Sequence, residues 1–176
     1  NTLNNIHALI DIDTQWAKNA VIELSKMMRY VLYDSERETI SLTRDIQFLK
    51  NYIELMRIRY TDAVDIRIEH PSTLPARITI PPLLLIVFVE NAFKHGVGAN
   101  KASFIHIRID CNEDKVTAVI ANSRFKIAHP KHSDGIGLKN VRKRMELIYG
   151  PKNYELRIEE TADTYTVNLE IPTLHA

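Results

Sequence analysis

Glu90, Asn91, Lys94 and His95 break into an almost wholly apolar stretch that begins at Pro82 and closes at Gly96. Asn91, Lys94 and His95 stand at i, i+3 and i+4, which puts them on one face of a helix. A helix this apolar is buried on most sides, and an amide beside it is costly unless something pairs with it. Two readings meet that demand. In one, Glu90 pairs with Lys94 at i, i+4 and Asn91 caps a neighbouring loop. In the other, Asn91 holds a metal ion while Lys94 and His95 face phosphate oxygens. The local pattern leaves both open.

The chain has five glycines, and four fall into two pairs: Gly96 with Gly98, and Gly135 with Gly137. The second pair lies in Asp134-Gly135-Ile136-Gly137-Leu138, where a polar, non-periodic segment (residues 122–134) enters a helical stripe. Glycines at such a junction let the backbone approach a phosphate, and a helix N-terminus offers free N–H groups. A single GxG is also what a loop-to-helix junction without any ligand looks like. No GxxxxGK occurs, so a P-loop is excluded.

The elements that must position these residues can be read from periodicity. The first sixty residues contain no Pro or Gly. Ala17, Val21, Leu24, Met28 and Val31 alternate steps of four and three, as do Leu42, Ile46, Leu49, Ile53, Met56 and Tyr60. Such stripes suit bundle or coiled-coil packing. Residues 34–39 read as the turn of a helical hairpin, and residues 11–14 as an interruption of its first helix. Ser41 or Thr43 is expected to cap the second helix, with Asp45 in its first turn. A hairpin alone buries little, so a dimeric four-helix bundle is the economical expectation. Trp16, Tyr30, Tyr33, Tyr52 and Tyr60 read as bundle-core or dimer-contact residues.

From Val64 the period changes to two: Val64, Ile66 and Ile68, then Ile105, Ile107 and Ile109. Residues 116–121 are apolar on both faces and read as a central strand. Pro81 and Pro82 are expected to open the helix that carries Asn91. Leu138, Val141, Met145 and Ile148 form a helical stripe that stops at Gly150-Pro151. Tyr154, Leu156 and Ile158, then Tyr165, Val167, Leu169 and Ile171, close the chain as strands. The fold class is α+β: a helical region, residues 1–60, followed by an α/β sandwich, residues 64–176, with a mixed or antiparallel sheet and helices on one face.

Composition narrows the partners. Lys plus Arg is 23 and Asp plus Glu is 22, a net charge of +1, so nucleic acid is not the default partner. One cysteine, Cys111, excludes an intrachain disulfide framework and a Cys-cluster metal site. The longest apolar run, residues 83–89, is too short to cross a bilayer. With no signal-peptide pattern and Asn1 at its start, the sequence reads as a soluble, cytosolic piece of a longer protein.

Taken together, Glu-Asn-Ala-x-Lys-His-Gly and Asp-Gly-Ile-Gly-Leu-x-Asn-Val-x-x-Arg resemble the N box and the second glycine box of the GHKL (Bergerat-type) ATP-binding fold. More narrowly, they look like the catalytic region of LytS/YehU-type sensor histidine kinases. Asn1-Thr-Leu-Asn-Asn, Leu24-Ser-Lys-Met-Met-Arg29-Tyr and Leu49-x-x-Tyr52-Ile-Glu-Leu-x-Arg57 extend the resemblance through the helices. It implies that Asn91 coordinates the Mg²⁺ bridging the phosphates of ATP. Lys94 and His95 would line the phosphate path, with Asn91 and Lys94 serving catalysis. Residues 135–138, with Gly135, Gly137 and Leu138, would wrap the triphosphate, and Asp134 and Asn140 would join the nucleotide site. Residues 122–134 would be the ATP lid. The resemblance further implies a homodimer through the helices, a response regulator as partner, and a membrane sensor region outside these residues.

Three departures bear on chemistry. The family commonly reads the adenine amine with an Asp in an Asp-x-Gly stretch; here Ala121-Asn122-Ser123 stands instead. Asn122 is expected to accept the same bond through its amide oxygen, a neutral and weaker acceptor. The phosphoacceptor belongs to a Pro-His-Phe-Leu-Phe-Asn segment preceding the Asn that matches Asn1. His7 is out of register with it and reads as a surface histidine, so this chain is not expected to phosphorylate itself. Val87 stands where hydrolysing GHKL relatives carry a water-activating Glu, which favours transfer over hydrolysis. Arg142, Lys143 and Arg144 read as the solvated side of a helix, with Arg144 the one candidate for touching ATP. His132, Ser133 and Asp134 are sequence neighbours, not a hydrolytic triad. Two rival readings are a pseudokinase scaffold and a serine kinase of the anti-sigma type on the same ATP domain.

Overall fold

The structure is a computed structural model that describes residues 2–60, 64–98, 101–125 and 136–175. Helix α1 (Thr2–Ile10) is separated from α2 (Thr14–Tyr33) by the interruption the sequence implies. Asp13 makes that restart: its extended backbone and carboxylate cap α2 by accepting from the Trp16 amide at 2.8 Å. The hairpin turn closes on Asp34, which is buried 3.1 Å from the Arg44 guanidinium.

Helix α3 (Leu42–Arg57) departs from the expected capping. Ser41 sits at its N-cap without a side-chain bond, because Ile40–Ser41 is occupied as a short strand, β1. Asp45 does not face solvent beside the helix dipole. It is wholly buried and accepts a hydrogen bond from the Tyr30 hydroxyl at 2.6 Å.

The main sheet has five strands in the order β2-β4-β5-β7-β6. These are β2 (Val64–Glu69), β4 (Ser103–Cys111), β5 (Lys115–Ser123), β7 (Thr164–Pro172) and β6 (Glu155–Glu160). Only β2 and β4 run parallel; every other neighbour is antiparallel, β4–β5 and β6–β7 as hairpins and β5–β7 across the connection through α5 and β6. The register aligns Ile66 with Ile105, and Ile107 with Ile120, which in turn faces Val167. One sheet face is thereby largely apolar, interrupted by Asn122 opposite Ile105. The residues 116–121 lie on the middle strand, and α4 (Ile86–His95) packs across β4 and β5.

A second, three-stranded sheet was not legible in the sequence. Strand β3 (Ile78–Ile80) pairs on one side with β1 and on the other with β8 (Leu174–His175). Thr79 also donates from Oγ1 to the Leu174 carbonyl at 2.6 Å. Strands of two or three residues are too short to show an alternation.

The helix that carries Asn91 opens at Ile86, later than Pro81-Pro82 suggests. Leu83 takes a left-handed φ of 57°, unusual for a residue with a Cβ. That turn sinks Leu84 and Leu85 into the core and points the Leu83 amide at the Tyr30 hydroxyl, 3.4 Å away. The hydrophobic core is continuous from the hairpin to the sheet: Tyr30, Leu49 and Ile53 belong to one cluster with Phe88, Ile107 and Ile120.

Candidate functional site

Helix α4 is apolar on the faces that meet the sheet and α3, with Phe88, Val89, Ala92 and Phe93 buried. Its last turns reach the edge of the core, where Asn91 is half-buried and Lys94 and His95 are exposed. Glu90 and Lys94 form no ion pair among the described residues, and burial alone raises the Glu90 pKa. The simpler of the two readings of this helix, a closed Glu–Lys pair, is therefore not realised. Nor does Asn91 cap a described loop. Partial burial and the Lys94 charge lower the His95 pKa, so His95 is neutral at pH 7 and offers a hydrogen bond rather than a charge.

The end of α4 is fitted against β5. A Cβ on Gly96 would stand 2.5 Å from the Ala92 carbonyl oxygen and 2.6 Å from the Asn122 Cβ. Gly96 has an ordinary backbone conformation, so the requirement is for space. Asn122 is buried, and its amide nitrogen donates to the Ser123 carbonyl at 2.8 Å. A Cβ on Gly98 would likewise meet the Phe125 ring at 2.8 Å.

Helix α5 (Ile136–Tyr149) brings the second glycine segment to the first turn of α4. Gly137 is exposed, and a Cβ there would lie 3.5 Å from Val87 Cγ1, one turn before Asn91. Leu138, Val141 and Met145 bury the helix's inner stripe, while Asn140 is exposed. Gly137 thus lies against the first turn of α4, with Asn91 one turn further along that helix, while Asn122 lies beside Gly96 at its other end, past Lys94. Asp134, Gly135 and residues 126–133 of the expected lid lie outside the described residues. Arg144 is half-buried, and its charge lowers the pKa of Asp45 and of Tyr149, so it faces the core side of α5.

Beside this groove, between the ends of α3 and α4, lies a cleft of about 440 Å³ lined by Tyr52, Met56, Arg59, Tyr60, Glu90 and Lys94, among others. Tyr52 and Tyr60 both pack on the Phe93 ring, at 5.7 and 5.8 Å between centroids. The helical stripe predicts Tyr52 and Tyr60 in the bundle, and the structure sets them at this cleft beside Arg59. Tyr30 is buried, as expected for a core aromatic, whereas Trp16 and Tyr33 are exposed.

Among the described residues no three His, Cys, Asp or Glu side chains group as a metal site. The fit for Mg²⁺ is of another kind. This ion keeps most of its waters and takes one or two protein oxygens plus phosphates. Asn91, half-buried with no described hydrogen-bond partner for its amide, suits that role.

Residues 1–64 match the family model described as "Histidine kinase". The sensor protein LytS of Staphylococcus haemolyticus is 27% identical over 98% of this chain and 32% of its own length. That of Streptococcus mutans is 28% identical over 98% of this chain and 31% of its own. The chain spans about a third of the length of these curated relatives. Among solved structures, the catalytic domain of histidine kinase ThkA aligns with a TM-score of 0.56 at 21% identity, covering 76% of this chain and 95% of that one. The histidine kinase domain of the blue-light activated kinase of Erythrobacter litoralis EL346 aligns with 0.55 at 17% identity, covering 98% and 88%.

The fold is that of histidine-kinase catalytic regions, an α+β sandwich preceded by helices. In sequence the chain is similar, along almost its full length, to the sensor protein LytS of two species. No described helix is long and apolar enough to cross a membrane.

Proposed function

We propose that this chain is the ATP-binding and dimerisation part of a sensor histidine kinase. Residues 64–176 would bind Mg·ATP between α4 and α5, and residues 1–60 would supply the dimer helices. The γ-phosphate would pass to a histidine preceding Asn1 in the intact protein, and from there to an aspartate of a response regulator. The observation that carries this reading is the meeting of the two motifs: the Asn91–Lys94–His95 face and the glycine entry of α5, in contact through Val87 and Gly137.

Each residue has a definable task. Asn91 would hold Mg²⁺ through its amide oxygen, and the bound ion would offset phosphate charge. Lys94 adds a fixed positive charge, and the neutral His95 donates a hydrogen bond to a phosphate oxygen. The N–H groups at the start of α5 face the triphosphate, with Gly137 leaving room for close approach. Asn122 spends its amide nitrogen on Ser123, which leaves the carbonyl side to accept from the adenine amine. Val87 has no proton to exchange, so no side chain one turn before Asn91 activates water. That supports transfer to a protein side chain.

The dimer reading rests on α2, where Val21, Met28, Val31 and Leu32 are exposed although the helix is otherwise packed on α3. One solved neighbour, aligned at a TM-score of 0.51 and 17% identity over 90% of this chain and 49% of that one, is histidine kinase ThkA in complex with its response regulator protein TrrA. A regulator partner is proposed for this chain by that analogy.

The test is a calorimetric titration with ATP, with and without Mg²⁺, on the wild type and Asn91→Ala. Saturable binding that weakens without Mg²⁺ and is lost in the variant supports the reading. No heat up to millimolar ATP would favour the pseudokinase scaffold, for which the neutral residue at the adenine position speaks.

A further inference from the structure

Asp45 of α3 is wholly buried, and its two oxygens differ. Oδ1 accepts from the Tyr30 hydroxyl at 2.6 Å, whereas Oδ2 is buried with no hydrogen-bond partner among the described residues. The Tyr149 hydroxyl of α5 is buried and unbonded as well. Arg144, half-buried on α5, forms no ion pair or hydrogen bond among the described residues, yet its charge acts on both Asp45 and Tyr149. A buried oxygen without a donor is costly, and most so on a carboxylate. Two such oxygens therefore lie within reach of one unpaired guanidinium.

These groups meet at the entrance of α4. The Tyr30 hydroxyl that bonds Asp45 also accepts from the Leu83 amide at 3.4 Å, in the turn just ahead of Ile86. Gly137 lies against the first turn of the same helix, at Val87. Gly137 and Arg144 stand seven residues apart on α5, which is two turns and hence one side of the helix. Helix α5 thus presents Gly137 to α4 and Arg144 toward Asp45 from the same side. The other acid that acts on Tyr30, Asp34, is already engaged by Arg44 at 3.1 Å and Arg37 at 3.7 Å. Around Asp45 itself stand the Tyr30 hydroxyl from α2, the Leu83 amide and the Arg144 charge from α5.

We infer that filling the nucleotide site draws Arg144 onto the free Oδ2 of Asp45, a clasp of α5 to α3 that ties the helical hairpin to nucleotide binding; this rests on the proposed site between α4 and α5. Phosphate held by the N–H groups at the start of α5 pulls that end of the helix toward α4. A helix moves as a stiff rod, so the pull is carried from Gly137 to Arg144 on the same side. Arginine suits the task, because it keeps its charge when buried and its fork can bond more than one oxygen. Arg144 is then a positioning residue for α5 and not a ligand of ATP. With the clasp open, Asp45 holds its proton up to about pH 6, burial outweighing the bond from Tyr30. With the clasp closed, the facing positive charge favours the carboxylate and the proton leaves. ATP binding near pH 6 therefore releases protons, and it strengthens as pH rises through that value.

The test is calorimetric titration with ATP and excess Mg²⁺ at pH 6, in two buffers of different ionisation enthalpy. It compares the wild type, Asp45→Asn, Arg144→Gln, Arg144→Lys and the Asp45→Asn/Arg144→Gln double variant, with Asn91→Ala as reference. The wild type is expected to release up to about half a proton more per ATP than Asp45→Asn, the share held at that pH by a group titrating at about 6. His95 contributes alike in every variant, so the difference isolates Asp45. Arg144→Gln should lose that release and, at pH 7, bind ATP about fivefold more weakly, the low end of coupling between two sites. Arg144→Lys should keep part of both, and the double variant should bind ATP as Asp45→Asn does. Equal proton release by the wild type and Asp45→Asn would overturn the inference. So would an Arg144→Gln loss that persists undiminished beside Asp45→Asn, which is the mark of direct contact with ATP. Should Asp45→Asn not fold, proton release by Arg144→Gln equal to that of the wild type overturns it alone. In each of these cases, ATP binding that still requires Asn91 keeps the site and dismisses only the clasp. If Asn91→Ala binds ATP as the wild type does, or the wild type binds none, the reading of the site fails first and takes the inference with it.

Discussion

Tyr30 of α2 and Asp45 of α3 meet hydroxyl to carboxylate at 2.6 Å inside the core, fifteen positions apart in sequence. Burial drives the Asp45 pKa up to about 6 from an ordinary 3.8, against the lowering effect of its bond to Tyr30. The native state therefore holds a proton that the unfolded chain releases sooner. The stability this protonation contributes is full below pH 3.8 and is lost as pH rises through about 6. Relative to Asp45→Asn, the wild type is expected to lose stability between those values and to show no further change above them. Urea midpoints of the two proteins across pH 4 to 7 check this. Tyr30→Phe should cost about 1–3 kcal/mol at pH 7, because it strips a buried carboxylate of its donor.

The two motif glycines should respond oppositely to a methyl group. Gly96→Ala forces a Cβ against backbone and against Asn122, and a loss of about 1–3 kcal/mol is expected. Gly137→Ala meets only ordinary contact with Val87 and should melt no lower than the wild type. On the proposed function, Gly137→Ala should nonetheless bind ATP more weakly. Thermal melts beside calorimetry separate the two effects.

Asn122→Ala tests how the base is read. ATP affinity should fall several-fold while inorganic tripolyphosphate with Mg²⁺ binds as before. The reverse variant, Asn122→Asp, should cost about 1–3 kcal/mol of stability, since a carboxylate would then face the Ser123 carbonyl that the amide now satisfies.

For the dimer, Val21→Glu with Met28→Glu is the direct probe. These side chains are 53% and 56% exposed, so the protomer should keep its fold. Sedimentation velocity is expected to give a dimer for the wild type and a monomer for the double variant. A wild-type monomer at tens of micromolar would remove the bundle reading.

Much of this architecture was legible because it is periodic. Val64, Ile66 and Ile68, and Ile105, Ile107 and Ile109, announced strands that do pair, and the stripe from Leu42 to Tyr60 announced α3. Asn91 and Lys94 could be picked out because polar groups at helical spacing interrupt an apolar run. What escaped was set by contacts distant in sequence. Strands β1, β3 and β8 are too short to carry a pattern, and the capping role given to Ser41 yielded to pairing with Thr79. The burial of Asp45 depends on Tyr30 arriving from another helix, and the late start of α4 depends on the same hydroxyl.

The pairing of β3 with β8 joins the entrance of α4 to a strand made much later in synthesis. On the ribosome, the helix bearing Asn91 emerges long before residues 174–175 exist. Until they are released, one edge of β3 has no partner and the turn at Leu83 is held from one side only. The nascent chain can therefore collapse around Leu49 and Ile107 while the entrance of α4 is still loosely held. Final order at that entrance waits on the emergence of Leu174 and His175.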